Sequence, residues 1–423
     1  MPRLRRSYKV SPAMRSTKIF LLSFLCLSTA LLAQSGGWDP VFLGYGSEPE
    51  MDYGGRTVMS LQSVLSRSFS SIGDVGTRHP GLTPAWEFPV GAALLLVQHE
   101  VGGHGGRARE FGLSPSYAFH FDFSAATGTR RPPQTNEQGV LLAAGGTEAD
   151  GVMAHRVLLD LLSPDGVDGA KVPLAMMSKL DLTLYVSEMK NPDRGQSFVD
   201  QYREGNDMAY YIIARQAQRR GADPAAVWEG TYTPDLRDPL IKRTWNDART
   251  TALWNLLDPT LVGSVVNYFR QHVLGGQARV QAPVLRVGNG VGLAIGTRGA
   301  LGPQEVSRFL DLHAATRLGV FTVYVRDLDS SVDRTYGFGA AVHGLPLGNA
   351  HDVRLGLSAD TWDEPVSLER VHAGGWNATA EVDTLFNDRW GISAKAGTKS
   401  DGFFPGLPIQ DGAYFAFGVR GVW

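Results

Sequence analysis

The apolar period of this chain changes once, near residue 276, and that single change limits the folds open to it. From Arg56 to about Gly276 apolar residues recur at helical spacing, and the segments that satisfy a period of about 3.6 lie near 57–70, 87–111, 136–162, 172–190, 198–220, 238–256 and 259–274. Local signals support the boundaries. Thr135-Asn136-Glu137-Gln138 reads as a capping box and Asp258-Pro259 as N-cap and first helical residue, while Gly221 and Gly275 follow their helices. After Gly276 the period falls to about 2 and turn residues multiply, so an antiparallel β region is expected over 277–423. The expected fold is α + β in two domains, a helical one at 56–276 and a β one after it.

Alternation in the last third separates two faces. Trp376, Ala378, Ala380, Val382 and Phe386 oppose Asn377, Thr379, Glu381 and Asp383; Phe415, Phe417 and Val419 oppose Tyr414, Ala416 and Arg420. About eight strands follow from the spacing. One face is apolar and the other small or charged, the pattern of a transmembrane β-barrel whose outside meets lipid and whose narrow interior is polar. The terminal Trp423 resembles the C-terminal aromatic of bacterial outer-membrane barrels. A lipocalin-like barrel or sandwich fits the same alternation, because period 2 does not say which face is wet.

The first 18 residues hold six basic side chains and no acids, and Ile19 to Ala33 is then apolar, as in a secretory signal peptide spanning 1–33. Residues 34–55 read as an extended lead-in. The only cysteine, Cys26, falls inside the apolar segment, so an exported chain would carry no disulfide. Formal charge moves from −2 to −8 without those basic residues, which gives no footing for nucleic acid. Phe88 to Val97 is ten residues, about half a membrane span, and reads as a buried core helix.

That helix ends in His99-Glu100-Val101-Gly102-Gly103-His104. Two imidazoles that can ligate an ion, beside a carboxylate that can accept a proton from water, are the parts of a hydrolytic zinc site. The histidines are five apart, however, which at about 100° per residue leaves them roughly 140° apart on a regular helix. A π-bulge brings them back to one side, and Gly102-Gly103 weakens the helix where the bulge must form.

The hexapeptide H-E-x-x-G-H resembles the motif of the dipeptidyl peptidase III family of zinc peptidases. The resemblance covers about a dozen residues and carries chemistry, not fold. It implies that His99 and His104 bind Zn2+, that Glu100 is the general base, and that a glutamate on a later helix completes the ligand set. Glu148 in Gly146-Thr147-Glu148-Ala149-Asp150 is the candidate, with Thr147 standing where the family motif has another glutamate. Glu148 also shares an otherwise apolar helical stripe with His155, and a buried carboxylate needs a cation, either the metal or an arginine such as Arg107 or Arg156. Glu137 is next in line as ligand. Asp150 is placed to hold a ligand histidine, His155 to face second-shell groups or substrate, and His120, in a strand-like alternation, to lie beside bound peptide. Tyr185, Tyr210, Tyr211 and His272 are candidate oxyanion stabilisers.

These signals imply a zinc-dependent peptidase facing the periplasm from an outer-membrane β domain, acting on a peptide or protein. Two other readings compete: a non-enzymatic outer-membrane protein with a helical binding domain, and a metal-dependent amidase of lipid or cell wall.

Overall fold

The computed structural model describes residues 41–288, 290–347, 353–365, 374–386 and 390–421; the expected signal peptide and Trp423 lie outside them. The helices follow the period. They are α1 (Met51–Ser71), α2 (Val75–Arg78), α3 (Pro84–Val97), α4 (Gly105–Glu110), α5 (Asn136–Leu162), α6 (Lys171–Glu188), α7 (Gln196–Arg203), α8 (Asp207–Arg219), α9 (Pro224–Trp228), α10 (Pro239–Leu256) and α11 (Pro259–Asn267). Thr135 caps α5 by accepting from Gln138 N, and Asp258 caps α11 from the amides of Thr260 and Leu261.

Ten strands form one antiparallel sheet: β1 (Val41–Gly46), β6 (Leu285–Val287), β7 (Val291–Leu301), β8 (Glu305–Thr316), β9 (Gly319–Ser330), β10 (Arg334–Pro346), β11 (Val353–Trp362), β12 (Gly375–Leu385), β13 (Trp390–Lys399) and β14 (Gly412–Gly421). Between them in sequence, β2 (Pro115–Phe119) and β3 (Ala125–Thr129) make a separate hairpin, and β4 (Val167–Asp168) pairs with β5 (Arg279–Val280). The order is β1-β14-β13-β12-β11-β10-β9-β8-β7-β6, so the expected closed barrel of about eight strands is replaced by an open sheet of ten. Period 2 specifies the two faces of each strand but not strand number or closure. The lead-in contributes too: Val41 pairs with Gly421 and Gly46 with Ala416, so the sheet draws on both sides of the division at 276/277.

The sheet is inverted relative to a soluble one. Asp311, Arg326, Asn377, Glu381 and Ser393 are buried on its concave face, while Ile295, Leu310, Leu312, Val323, Val325, Phe415 and Phe417 are exposed on the other. Lys395 lies inward, whereas Arg354 reaches out at the rim to Asp165, 2.7 Å away. Helices fill the concavity and answer its charges. Arg56 of α1 binds Glu381 (2.5 Å) and Asp383 (2.8 Å), Arg156 of α5 binds Glu381 (2.9 Å), and Lys395 binds Glu50 (2.6 Å). The desolvation cost of burying such charges offsets much of their attraction, so the pairs add little net stability.

Candidate metal centre

Residues Gln98–His104 form a π-helix between α3 and α4. The wider turn does what the five-residue spacing requires: the rings of His99 and His104 lie with centroids 4.8 Å apart, edge to face at 72°. Glycine permits a second close approach. A Cβ on Gly103 would stand 2.6 Å from Gly146 Cα, and one on Gly146 would overlap the His99 imidazole, so only glycines let α5 press against the π segment here.

Each imidazole is oriented through Nδ1. His99 Nδ1 donates to Asp150 Oδ2 at 2.9 Å, with Asp181 Oδ2 3.2 Å away, and His104 Nδ1 donates to the Leu142 carbonyl at 2.5 Å. That arrangement leaves both Nε2 atoms facing the same space. Asp207 enters it from the first turn of α8, with Oδ2 3.2 Å from His104 Nε2 and 3.6 Å from His99 Nε2. Ligand atoms of His99, His104 and Asp207 all lie within 4.8 Å of one another. His104 Nε2 is buried and meets no well-aligned hydrogen-bond partner, its nearest polar neighbour being Asp207 Oδ2 at 3.2 Å, so its lone pair is free to serve as a ligand. An imidazole supported through Nδ1 by a carboxylate or carbonyl is the usual form of a zinc-binding histidine, so the donor set fits Zn2+.

A second group, His99, Asp150 and Asp181, is also close enough to hold a cation. Its contact through His99 Nδ1 is at hydrogen-bond length, and it supports the ring. Burial and the neighbouring Asp181 push the Asp150 carboxyl well above the usual carboxylate range, against the pull of His99. For Asp207 burial acts upward but is outweighed by His104 and His99, which hold it below its ordinary value. His99 is raised well above the ordinary imidazole value: burial opposes the charge, but Tyr185, Asp181 and Asp150 outweigh it.

Glu148 is not a ligand. Its carboxylate is held by Arg107, with Nε at 3.0 Å and Nη2 closer, and by the Gly406 amide at 2.7 Å. Helix geometry gives the reason. Glu148 and Asp150 are two residues apart, about 200° around α5, so when Asp150 and Gly146 (i, i+4) face His99, Glu148 faces away. Glu137 lines a different cleft, with Glu48 and Arg109. His155 lines a cavity of about 220 Å³ between α5 and the sheet, 6.4 Å from the His313 ring. His120 falls in the exposed turn after β2, and the strand beside the π segment is β3 instead. Tyr211 donates to the Gly302 carbonyl and His272 contacts Glu87, both outside the site.

Glu100 and Tyr185 stay. Glu100 Oε2 accepts from Thr127 Oγ1 of β3 at 2.6 Å, and Tyr185 OH lies 3.0 Å from His99 Nε2 with its ring stacked on the imidazole. Both line a cleft of about 580 Å³ with His104, Asp207, Tyr210 and Trp228. Asp207 is the residue that sequence reasoning missed. It follows the N-cap Asn206, where an acid is expected at any helix start, and nothing local distinguishes it.

No family model, curated protein or solved structure matches the chain.

Proposed function

We propose that the chain is a zinc-dependent hydrolase acting on peptide bonds, with His99, His104 and Asp207 as ligands and Glu100 as general base. The carrying observation is the convergence of two Nδ1-anchored imidazoles and Asp207 beside Glu100 in an open cleft. Zinc supplies Lewis acidity that polarises a carbonyl and acidifies water. Glu100 accepts a proton from the attacking water and delivers it to the leaving amine, with Thr127 fixing one carboxylate oxygen. Tyr185 OH is placed to donate to the oxyanion as negative charge develops.

Peptide is favoured over a lipid or cell-wall amide by β3. It pairs with β2 on one side, and its Ala125, Ala126, Thr127 and Thr129 line the cleft, so an extended chain can add to its other side by main-chain hydrogen bonds. The inverted sheet supports a membrane location, its exposed apolar face meeting lipid. The test is hydrolysis of a fluorogenic peptide library by the full chain with zinc, with chelator, and with Glu100→Gln. Cleavage that survives both chelator and the substitution overturns the reading. A zinc-binding protein that cleaves no peptide but releases amine from lipid or cell-wall amides moves it to the amidase alternative.

A further inference from the structure

An open sheet has two edges whose unpaired N–H and C=O groups cannot face hydrocarbon. In this chain helix side chains take up backbone groups on β1 and on the part of β7 that β6 leaves unpaired. On β1, the amides of Phe42 and Gly44 donate to Ser60 Oγ (3.0 Å) and Thr57 Oγ1 (3.1 Å) of α1. On β7, beyond its short pairing with β6, Gly299 N donates to Asn255 Oδ1 at 2.7 Å and the Ile295 carbonyl accepts from Thr260 Oγ1 at 2.7 Å, while Lys179 Nζ serves the Thr297 carbonyl.

The helices that close the edges also join one another. Gln62 of α1 donates to the Glu87 carbonyl of α3 at 2.9 Å. Tyr268, at the end of α11, donates to the Glu87 carboxylate at 2.6 Å. A continuous ring therefore runs β1–α1–α3–α11–β7, each step carrying a named hydrogen bond.

The outsides of α3 and of the α11 segment continue the apolar face of the sheet. From Pro84 to Val97 the only charged residue is Glu87, which is buried, and from Pro259 to Phe269 there is none. Ala85, Pro89 and Ala93 of α3 are exposed, as are Val262, Val266 and Phe269. A helix that is apolar on its buried and exposed sides alike is at home in hydrocarbon. The expectation of a fully buried core helix at Phe88–Val97 therefore fails on its outer side.

We propose that α1, α3 and α11 complete the wall begun by the ten strands and that lipid contacts α3 and α11 as it contacts the sheet, giving a mixed strand–helix wall around a polar interior. The inference rests on the membrane location proposed above and goes beyond it by naming what fills the gap. Among the described residues no helix is long and apolar enough to cross a membrane. At about 1.5 Å per residue, the 14 residues of α3 reach roughly 21 Å, close to the roughly 25 Å apolar belt of strand-built membrane walls, so α3 serves as a stave of a shared wall and not as an independent span.

The test uses the full chain in a Cys26→Ser background, with single cysteines carrying an environment-sensitive fluorophore and reconstitution in phosphatidylethanolamine–phosphatidylglycerol vesicles containing doxyl-labelled lipid. Ala93→Cys and Val266→Cys probe the arc, Phe417→Cys the sheet, and Lys190→Cys the water reference. Quenching at 93 and 266 as strong as at 417, with none at 190, is the expected result. Quenching at 417 alone overturns the mixed wall and leaves the membrane location standing. No quenching at any position removes both.

Discussion

The identity of the third ligand gives the sharpest test, because two carboxylate substitutions should fail in opposite ways. Glu148→Gln removes one of the two carboxylates that hold the buried guanidinium of Arg107, 0% exposed, and leaves it only Glu110, 2.7 Å away. Breaking a buried pair costs about 3–5 kcal/mol when the other charge is left uncompensated, and Glu110 lowers that cost here, which is still a sizeable part of a total stability of about 5–15 kcal/mol. Asp207→Asn acts at a side chain 25% exposed and should change the metal-free protein little. Its effect is on zinc. Losing a ligand should weaken binding at least as much as the roughly 100-fold upper range for supporting residues. At free zinc of about 100 times the wild-type Kd, binding stabilises the wild type by about 2.7 kcal/mol, and a 100-fold weaker variant by only about 0.4 kcal/mol. Thermal unfolding in detergent micelles, with and without zinc, reads both numbers. Glu148→Gln should start lower and keep the full zinc shift; Asp207→Asn should start near wild type and lose it. A Glu148→Gln protein that keeps its stability and loses the zinc shift would refute the assignment, as would full zinc affinity in Asp207→Asn.

Further outcomes follow from the same geometry. Glu100→Gln should retain zinc and fold while kcat/KM falls by about 10² to 10⁴, and loss of zinc in that variant would make Glu100 a ligand instead. Asp150→Asn should weaken zinc by about 10- to 100-fold, because it disturbs the acceptor that orients His99, and unchanged affinity by competition titration would remove that role. Gly146→Ala should abolish zinc binding without touching any ligand, since the added methyl overlaps the His99 imidazole; a zinc content equal to wild type would contradict the packing of α5 on the π segment.

How much of this could be read in advance depended on whether the signal was local. The π segment was legible because the His99–His104 spacing is incompatible with a regular helix and two glycines sit inside it. The faces of the strands were legible because alternation is local: Lys395 and Glu381 point inward, and Leu357, Phe415 and Phe417 point out. Closure was not, because it depends on pairing between strands far apart in sequence, above all β1 with β14. Glu148 misled because charge on an apolar stripe was matched to a metal while its angular relation to Asp150 was left unused. Asp207 was invisible for a different reason, since about 100 residues of chain separate it from the histidines and only tertiary folding brings it to them.

Helix α5 explains why site and wall occur in one chain. Its N-terminal half presents Gly145, Gly146 and Asp150 to the π segment, where small residues and one carboxylate set the histidines. Its C-terminal half presents Arg156 to Glu381 and Asp160 to His343, which fix the helix against the concave face of the sheet. Between them Glu148 faces a third direction and, through Arg107 and Gly406, ties α4 to the loop joining β13 and β14. Beneath a sheet whose outer face is apolar, a helix can bring charge to the buried side only if strands supply the counter-charge, and the sheet does so with Glu381, Asp383 and Lys395. The polar face of the sheet is therefore the foundation of the candidate metal centre. Separating the helices from the strands should dismantle the site even with every proposed ligand still present.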